Sequence, residues 1–216
     1  MYNAAVGFIV EGHGEYAAYP SLFCRIVDAT GAYVPCVNAG GCGSVFKNTH
    51  EHLDDLVRTG KPRFVIITVD YIDLVDQRLA PDLRTIREIF KSRIDSWMEK
   101  AKVDGRIKAI PESIKLVVQV HKFESWLIAD YDSLLDQGFL IDQAPAIDDS
   151  DAVKDPAGWV KKHFVDGHEV KSPAFVKKVV AAIDVDAVSE KSKSFSIFHR
   201  SCKRYYDSWL RSSYEC

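Results

Sequence analysis

Four short apolar runs punctuate the chain: "AAVGFIV" (4–10), "AYVPCV" (32–37), "RFVIITV" (63–69) and "KLVVQV" (115–120). They are continuous and rich in β-branched residues rather than alternating, which is the pattern of strands covered on both faces. Between them lie stretches with apolar positions at helical spacing: "EYAAYPSLFCRIVDA", "VFKNTHEHLDDLVRTG" and "PDLRTIREIFKSRIDSWMEKA". Pro20, inside the first of these, predicts a kink or a late helix start. Strand and helix alternate, so the expected architecture is a doubly wound, mainly parallel α/β sheet with right-handed crossovers.

The pattern changes after about Asp130. "QAPAIDDSDAVKDP" reads as a surface loop, and "PAGWVKKHF", "PAFVKKVVAAID" and "SFSIFHRSCKRYYDSWLRSS" read as helices with no further strand between them. The expected organisation is an α/β core over residues 1–130 and a helical extension over 131–216 packed on it. No internal repeat or low-complexity tract interrupts either part.

Charge adds an asymmetry that the apolar pattern hides. Residues 153–216 carry twelve Lys and Arg against eight Asp and Glu, a net +4, which leaves −7 on residues 1–152 of a chain whose total is −3. An acidic half joined to a basic half fits a metal-binding part beside a nucleic-acid-facing part, and charge alone fits a solvated surface of uneven composition better. No apolar run approaches the ~20 residues of a membrane helix. The first residues lack a basic segment followed by a long apolar stretch, so the cytoplasm is the expected compartment. The five cysteines, Cys24, Cys36, Cys42, Cys202 and Cys216, are odd in number and form no C-x-x-C pair. Reduced structural thiols are expected, not a zinc site.

The candidate chemistry sits where the strands end. "VGFIVEGHGE" (6–15) has neither the Gly-x-Gly-x-x-Gly spacing nor the Gly-Lys-Ser/Thr ending of a phosphate cradle. It delivers an acid, Glu11, to the end of the first strand. "TVDYID" places Asp70 and Asp73 after the third strand, and "QVHKFE" places His121 and Glu124 after the fourth. In an open parallel sheet functional groups gather outside the carboxyl ends of the strands, so three strands are expected to bring acids to one edge. Carboxylates without a lysine among them suit a hard cation such as Mg²⁺. Asp73 also reads as a turn cap, His121 as a hydrogen-bonded structural residue, and Glu124 as an acid at the N-terminus of an amphipathic helix, "FESWLIADYDSLL". The late segment "EKSKSFSIFHRSCKRYY" interleaves Lys193, Arg200, Lys203 and Arg204 with Phe195, Phe198, Tyr205 and Tyr206. Cations among aromatic rings suit a nucleic-acid strand. The competing reading is an amphipathic helix that turns its rings to the core.

These residues carry a resemblance. "GFIVEGHGE" is similar to the first motif of the Toprim fold, and Asp70 lies where that fold has its Asp-x-Asp pair. With "VQVHKFESWLIAD" and "KSKSFSIFHRSC", the chain resembles, nearly end to end, the Toprim-like domain-of-unknown-function family numbered 4276, related to RloB-like abortive-infection proteins. The resemblance implies a Toprim-like sheet and a Mg²⁺- or Mn²⁺-dependent phosphodiester site. Glu11 would be the general acid or base there, Asp70 and Asp73 metal ligands with Glu11, and an ATPase a partner. The chain departs from the Toprim pattern in Asp70-Tyr71-Ile72-Asp73, where the second acid falls one residue late, which leaves Glu124 as a replacement carboxylate. The expected activity is that of a metal-dependent nuclease or phosphodiester-processing protein of a prokaryotic phage-defence system. The alternatives are a non-catalytic adaptor or sensor that binds nucleic acid or the ATPase, and a small-molecule phosphoesterase.

Overall fold

A computed structural model describes residues 2–105, 107–169 and 172–214, with backbone only at positions 168, 213 and 214. The elements run β1 (Ala4–Val10), α1 (His13–Ile26), β2 (Cys36–Asn38), α2 (Cys42–Lys47), α3 (Thr49–Gly60), β3 (Pro62–Asp70), α4 (Tyr71–Asp76), α5 (Leu83–Val103) and β4 (Ser113–Gln119). After the sheet come α6 (Glu124–Leu127), α7 (Tyr131–Asp136), α8 (Pro156–His163), α9 (Pro173–Ala182), α10 (Val185–Lys191) and α11 (Lys193–Tyr214).

All four strands are parallel, in the order β2-β1-β3-β4. The chain leaves β1 toward β2 on one side, then returns across β1 to β3 and β4. Right-handed crossovers in opposite directions must lie on opposite faces. Accordingly α1 packs with Phe8, Val10, Phe64 and Ile66, while α3 and α5 pack with Ile9, Val65, Ile67 and Val69. Val6, Phe8 and Val10 of β1 thus enter one core and Ile9 the other, so the strand is covered on both faces and its seven residues are all buried.

α1 alone cannot cover the first face. The C-terminal helices complete it: α9, α10 and α11 contribute Phe175, Val179, Val188, Phe195 and Phe198 to the same core as Phe8 and Tyr19. α11 runs opposite to the strands. Near its start Phe198 meets Phe8 and Tyr19, farther on Tyr205 stacks on Phe64 at 4.4 Å, and near its end the Ser208 carbonyl and Ser212 accept from Arg63. The rings of "SFSIFHRSCKRYY" are therefore core: Phe195 and Phe198 are fully buried, Tyr205 is buried, and Tyr206 packs edge-on against Phe23. Of the two readings of this segment, the amphipathic helix that turns its rings to the core is the one found, so these rings are not open to stack bases. Residues 195, 198, 202 and 205 fall on one helical stripe, and burying that stripe outweighs exposing it.

Three local expectations also change. The second strand is confined to residues 36–38, because it pairs only with β1 and Pro35, just before it, has no N–H to donate. Pro20 neither delays α1 nor ends it, since the helix runs through from His13 to Ile26. "FESWLIADYDSLL" is not one helix; it breaks into α6 and α7, with Asp130 capping the second through Ser133 N–H at 3.3 Å. Cys24, Cys36, Cys42 and Cys202 are free thiols, and Cys216 lies outside the described residues. Among the described residues no helix is long and apolar enough to cross a membrane.

Candidate functional site

The winding reverses at β1, so the crevice between β1 and β3 is the switch point where an open parallel sheet offers a site. Ile9 pairs with Ile67 and Asp70 with Gln119, so β1, β3 and β4 end at a common edge. Glu11 leaves β1 there and is buried; its Oε1 accepts the backbone N–H of Asp70 at 2.7 Å. Gly41 donates its N–H to the Glu11 carbonyl at 2.6 Å from a backbone with φ of 128°, a conformation that requires glycine. That contact draws the loop ahead of α2 against the acid. His121, at φ 61°, takes the left-handed turn that sends Lys122, Phe123 and Glu124 back toward the same edge.

The result is a cleft of about 370 Å³ whose lining includes Glu11, Glu15, Cys42, Asp70, Asp73 and Glu124. The three strands do bring Glu11, Asp70, Asp73 and Glu124 together. His121 is not part of the lining, and its buried Nδ1 has no hydrogen-bond partner. Asp70 occupies the N-cap position of α4, yet its side chain caps no N–H there, so capping does not explain the residue. Its Oδ1 is buried and without a partner. Asp73 sits in the first turn of α4 and pairs with Lys122 Nζ at 2.8 Å. The expectation of a carboxylate set without lysine is corrected here: an acid cluster this dense attracts the nearest cation the backbone can deliver.

Burial and mutual repulsion dominate the electrostatics. Burial, with Glu15 and Asp73 adding to it, pushes the Glu11 carboxyl from the usual 4.5 up to about 8, against the opposing Asp70 N–H bond. Burial and then Glu124 raise Glu15 to about 7. Asp70 is held well above the carboxylate range, first by burial and then by Glu11, Glu15, Glu124 and Asp73. Burial pulls the Lys122 ammonium down, but its bond to Asp73 and the nearby Asp70 and Glu124 outweigh this and shift it upward.

One oxygen each of Glu11 and Asp73 and the sulfur of Cys42 lie within 4.8 Å of one another. Cys42 adds little as a soft ligand. Burial and the surrounding acids push its thiol up to about 12, and its Sγ accepts from Gln77 Nε2 at 2.9 Å. What remains is oxygen: carboxylates in excess of cations and one orphaned buried Asp70 oxygen. That donor set fits a hard divalent cation.

Sequence reasoning passed over Glu15, Cys42 and Lys122. Glu15 carried a readable signal, since an acid in the first turn of the helix after β1 points back toward the strand end. Lys122 and Cys42 carried none, because their approach depends on two loops folding toward one another. The proposed nucleic-acid residues lie elsewhere. Lys193, Arg200, Lys203 and Arg204 are exposed on α11, with Lys203 3.4 Å from Asp186, and Arg200 and Arg204 share a depression with Lys115 of β4. Lys115 is four residues before the end of β4, roughly 13 Å from the acid edge at strand rise.

No curated protein and no solved structure matches the chain. One family model does, over residues 10–201, from the last residue of β1 into α11. The chain belongs to the family described as Domain of unknown function (DUF4276).

Proposed function

We propose that this protein is a Mg²⁺- or Mn²⁺-dependent, Toprim-like enzyme that processes phosphodiesters in nucleic acid. The observation that carries the reading is the buried Asp70 Oδ1, which has no partner in a cleft of five carboxylates. An unsatisfied buried acceptor is costly, and a divalent cation would satisfy it. Glu11, Asp70 and Asp73 would hold the ion, which would supply charge neutralisation and polarisation of a phosphate oxygen. Glu11, held by the Asp70 N–H, would exchange a proton with the reacting oxygen. Glu124 contributes a carboxylate from the β4 side, and Lys122 offers positive charge to a phosphate. The exposed cations of α11 would draw a polyanion to the molecule. The RloB-like relationship, the phage-defence setting and an ATPase partner belong to this same proposal, through the motif resemblance.

A second reading is a non-catalytic adaptor, and the Lys122–Asp73 pair supports it, because a cluster partly neutralised by its own lysine needs a metal less. The test is a titration with Mg²⁺ and Mn²⁺ of the unmodified chain and Asp70→Asn, followed by incubation with single- and double-stranded DNA and RNA. The expected result is divalent binding that Asp70→Asn weakens about tenfold or more, cleavage that requires the metal, and a metal-free Asp70→Asn protein at least as stable as its parent. Absence of both binding and cleavage selects the adaptor.

A further inference from the structure

Beside the acid cleft lie two more grooves, of about 560 and 300 Å³, and the three share residues. His13 lines both the cleft and the second groove, and Tyr16 and Pro20 line both the second and the third, which continues past Tyr33 and Pro35. They form one track from the acid cleft along the outer face of α1 to the β2 edge. Tyr16 is 48% exposed and Tyr33 58%, and among the described residues they are the two aromatic side chains left most open. Large rings held in water at both ends of one groove lose apolar contact that a flat partner would restore. Pro20 and Pro35 line the groove that Tyr16 and Tyr33 share, and Pro173 lines the second groove.

The polar groups match a phosphate chain. Lys177 is exposed in the second groove, and no acid lines the second or the third groove among the described residues. His13 stands at the junction. Asn38 Oδ1 accepts the Gly40 N–H at 3.0 Å, which orients the amide so that its nitrogen faces His13 Nδ1, also at 3.0 Å. In neutral His13 the proton is then on Nε2, a donor beside the cleft.

From this continuity and charge we infer that the track binds single-stranded nucleic acid, with bases stacked on Tyr16 and Tyr33, phosphates met by Lys177 and His13, and the strand led into the acid cleft. Unpaired bases are required, because a duplex keeps its ring faces stacked on one another. The inference rests on the proposed phosphodiester chemistry for the strand's destination, not for its binding.

The experiment is fluorescence anisotropy of labelled single-stranded and duplex oligonucleotides on the full chain, across a salt series, with Mg²⁺ and with chelator. Single strands should bind more tightly than duplex. Tyr16→Ala and Tyr33→Ala should each weaken binding roughly 5- to 150-fold, the range for losing one stacked base, while the Phe variants retain it. Lys177→Gln should reduce the slope of log affinity against log salt by about 0.7. These side chains are exposed, so melting temperature and Mg²⁺ affinity should stay at parental values, which shows that the variants fold. Duplex preference, tyrosine variants that bind like the parent, or loss confined to a Lys193→Gln, Arg200→Gln, Arg204→Gln triple variant would overturn the track. Failure to bind Mg²⁺ in the same samples counts against the phosphodiester site alone. Failure to bind a strand when Mg²⁺ does bind counts against the track alone.

Discussion

Replacing Glu11 by Gln tests whether the cleft is built to hold charge it cannot support by itself. Gln keeps the Oε1 acceptor for the Asp70 N–H and removes the ionisable group. In the native protein the Glu11 carboxyl titrates near 8 against the usual 4.5, so between those values the folded state holds a proton that the unfolded chain has released. Stability contributed by that proton is complete below pH 4.5 and is lost as pH rises through 8. At about 1.4 kcal/mol per pH unit the loss approaches about 5 kcal/mol by pH 9, an upper bound because Glu15 and Asp70 take up protons as Glu11 releases its own. Half of this, about 2.5 kcal/mol, moves the melting temperature of a chain this size by about 5–10 °C. Melting curves of both proteins in chelator from pH 4 to 9 should therefore coincide at pH 4 and separate progressively above about pH 5, with Glu11→Gln the more stable. Parallel curves, or a variant that is less stable at pH 9, would refute the argument that burial and neighbouring carboxylates strain this residue.

Lys122→Met removes the lysine that meets Asp73, so metal-free stability should fall by about 0.5 kcal/mol, within the range of partly exposed pairs, while Mg²⁺ affinity measured by calorimetry rises because Asp73 is released. Phe198→Ala should cost about 3–5 kcal/mol in urea denaturation, since the ring is fully buried against Phe8, Tyr19 and Trp126. A cost below 1 kcal/mol would place α11 outside the core.

Much of this molecule is local information. "AAVGFIV" and "RFVIITV" are strands because their β-branched runs suit backbone buried on both faces. The acids that follow them reach one edge because parallel strands joined by right-handed crossovers end on the same side. Glu11, Asp70, Asp73 and Glu124 could therefore be found from order alone. The stripe of Phe195, Phe198, Cys202 and Tyr205 was equally legible as one face of a helix, but spacing does not say whether a face meets protein or solvent. The bare sheet face left by α3 and α5 decided that. Tertiary structure alone also set Cys42 beside Glu11, paired Lys122 with a carboxylate 49 residues earlier, and opened the track past Tyr16 and Tyr33. Each of these depends on how separate loops approach in space, and burial, which governs both the raised carboxyl groups and the exposed rings, belongs to the assembled layers and not to any segment of the chain.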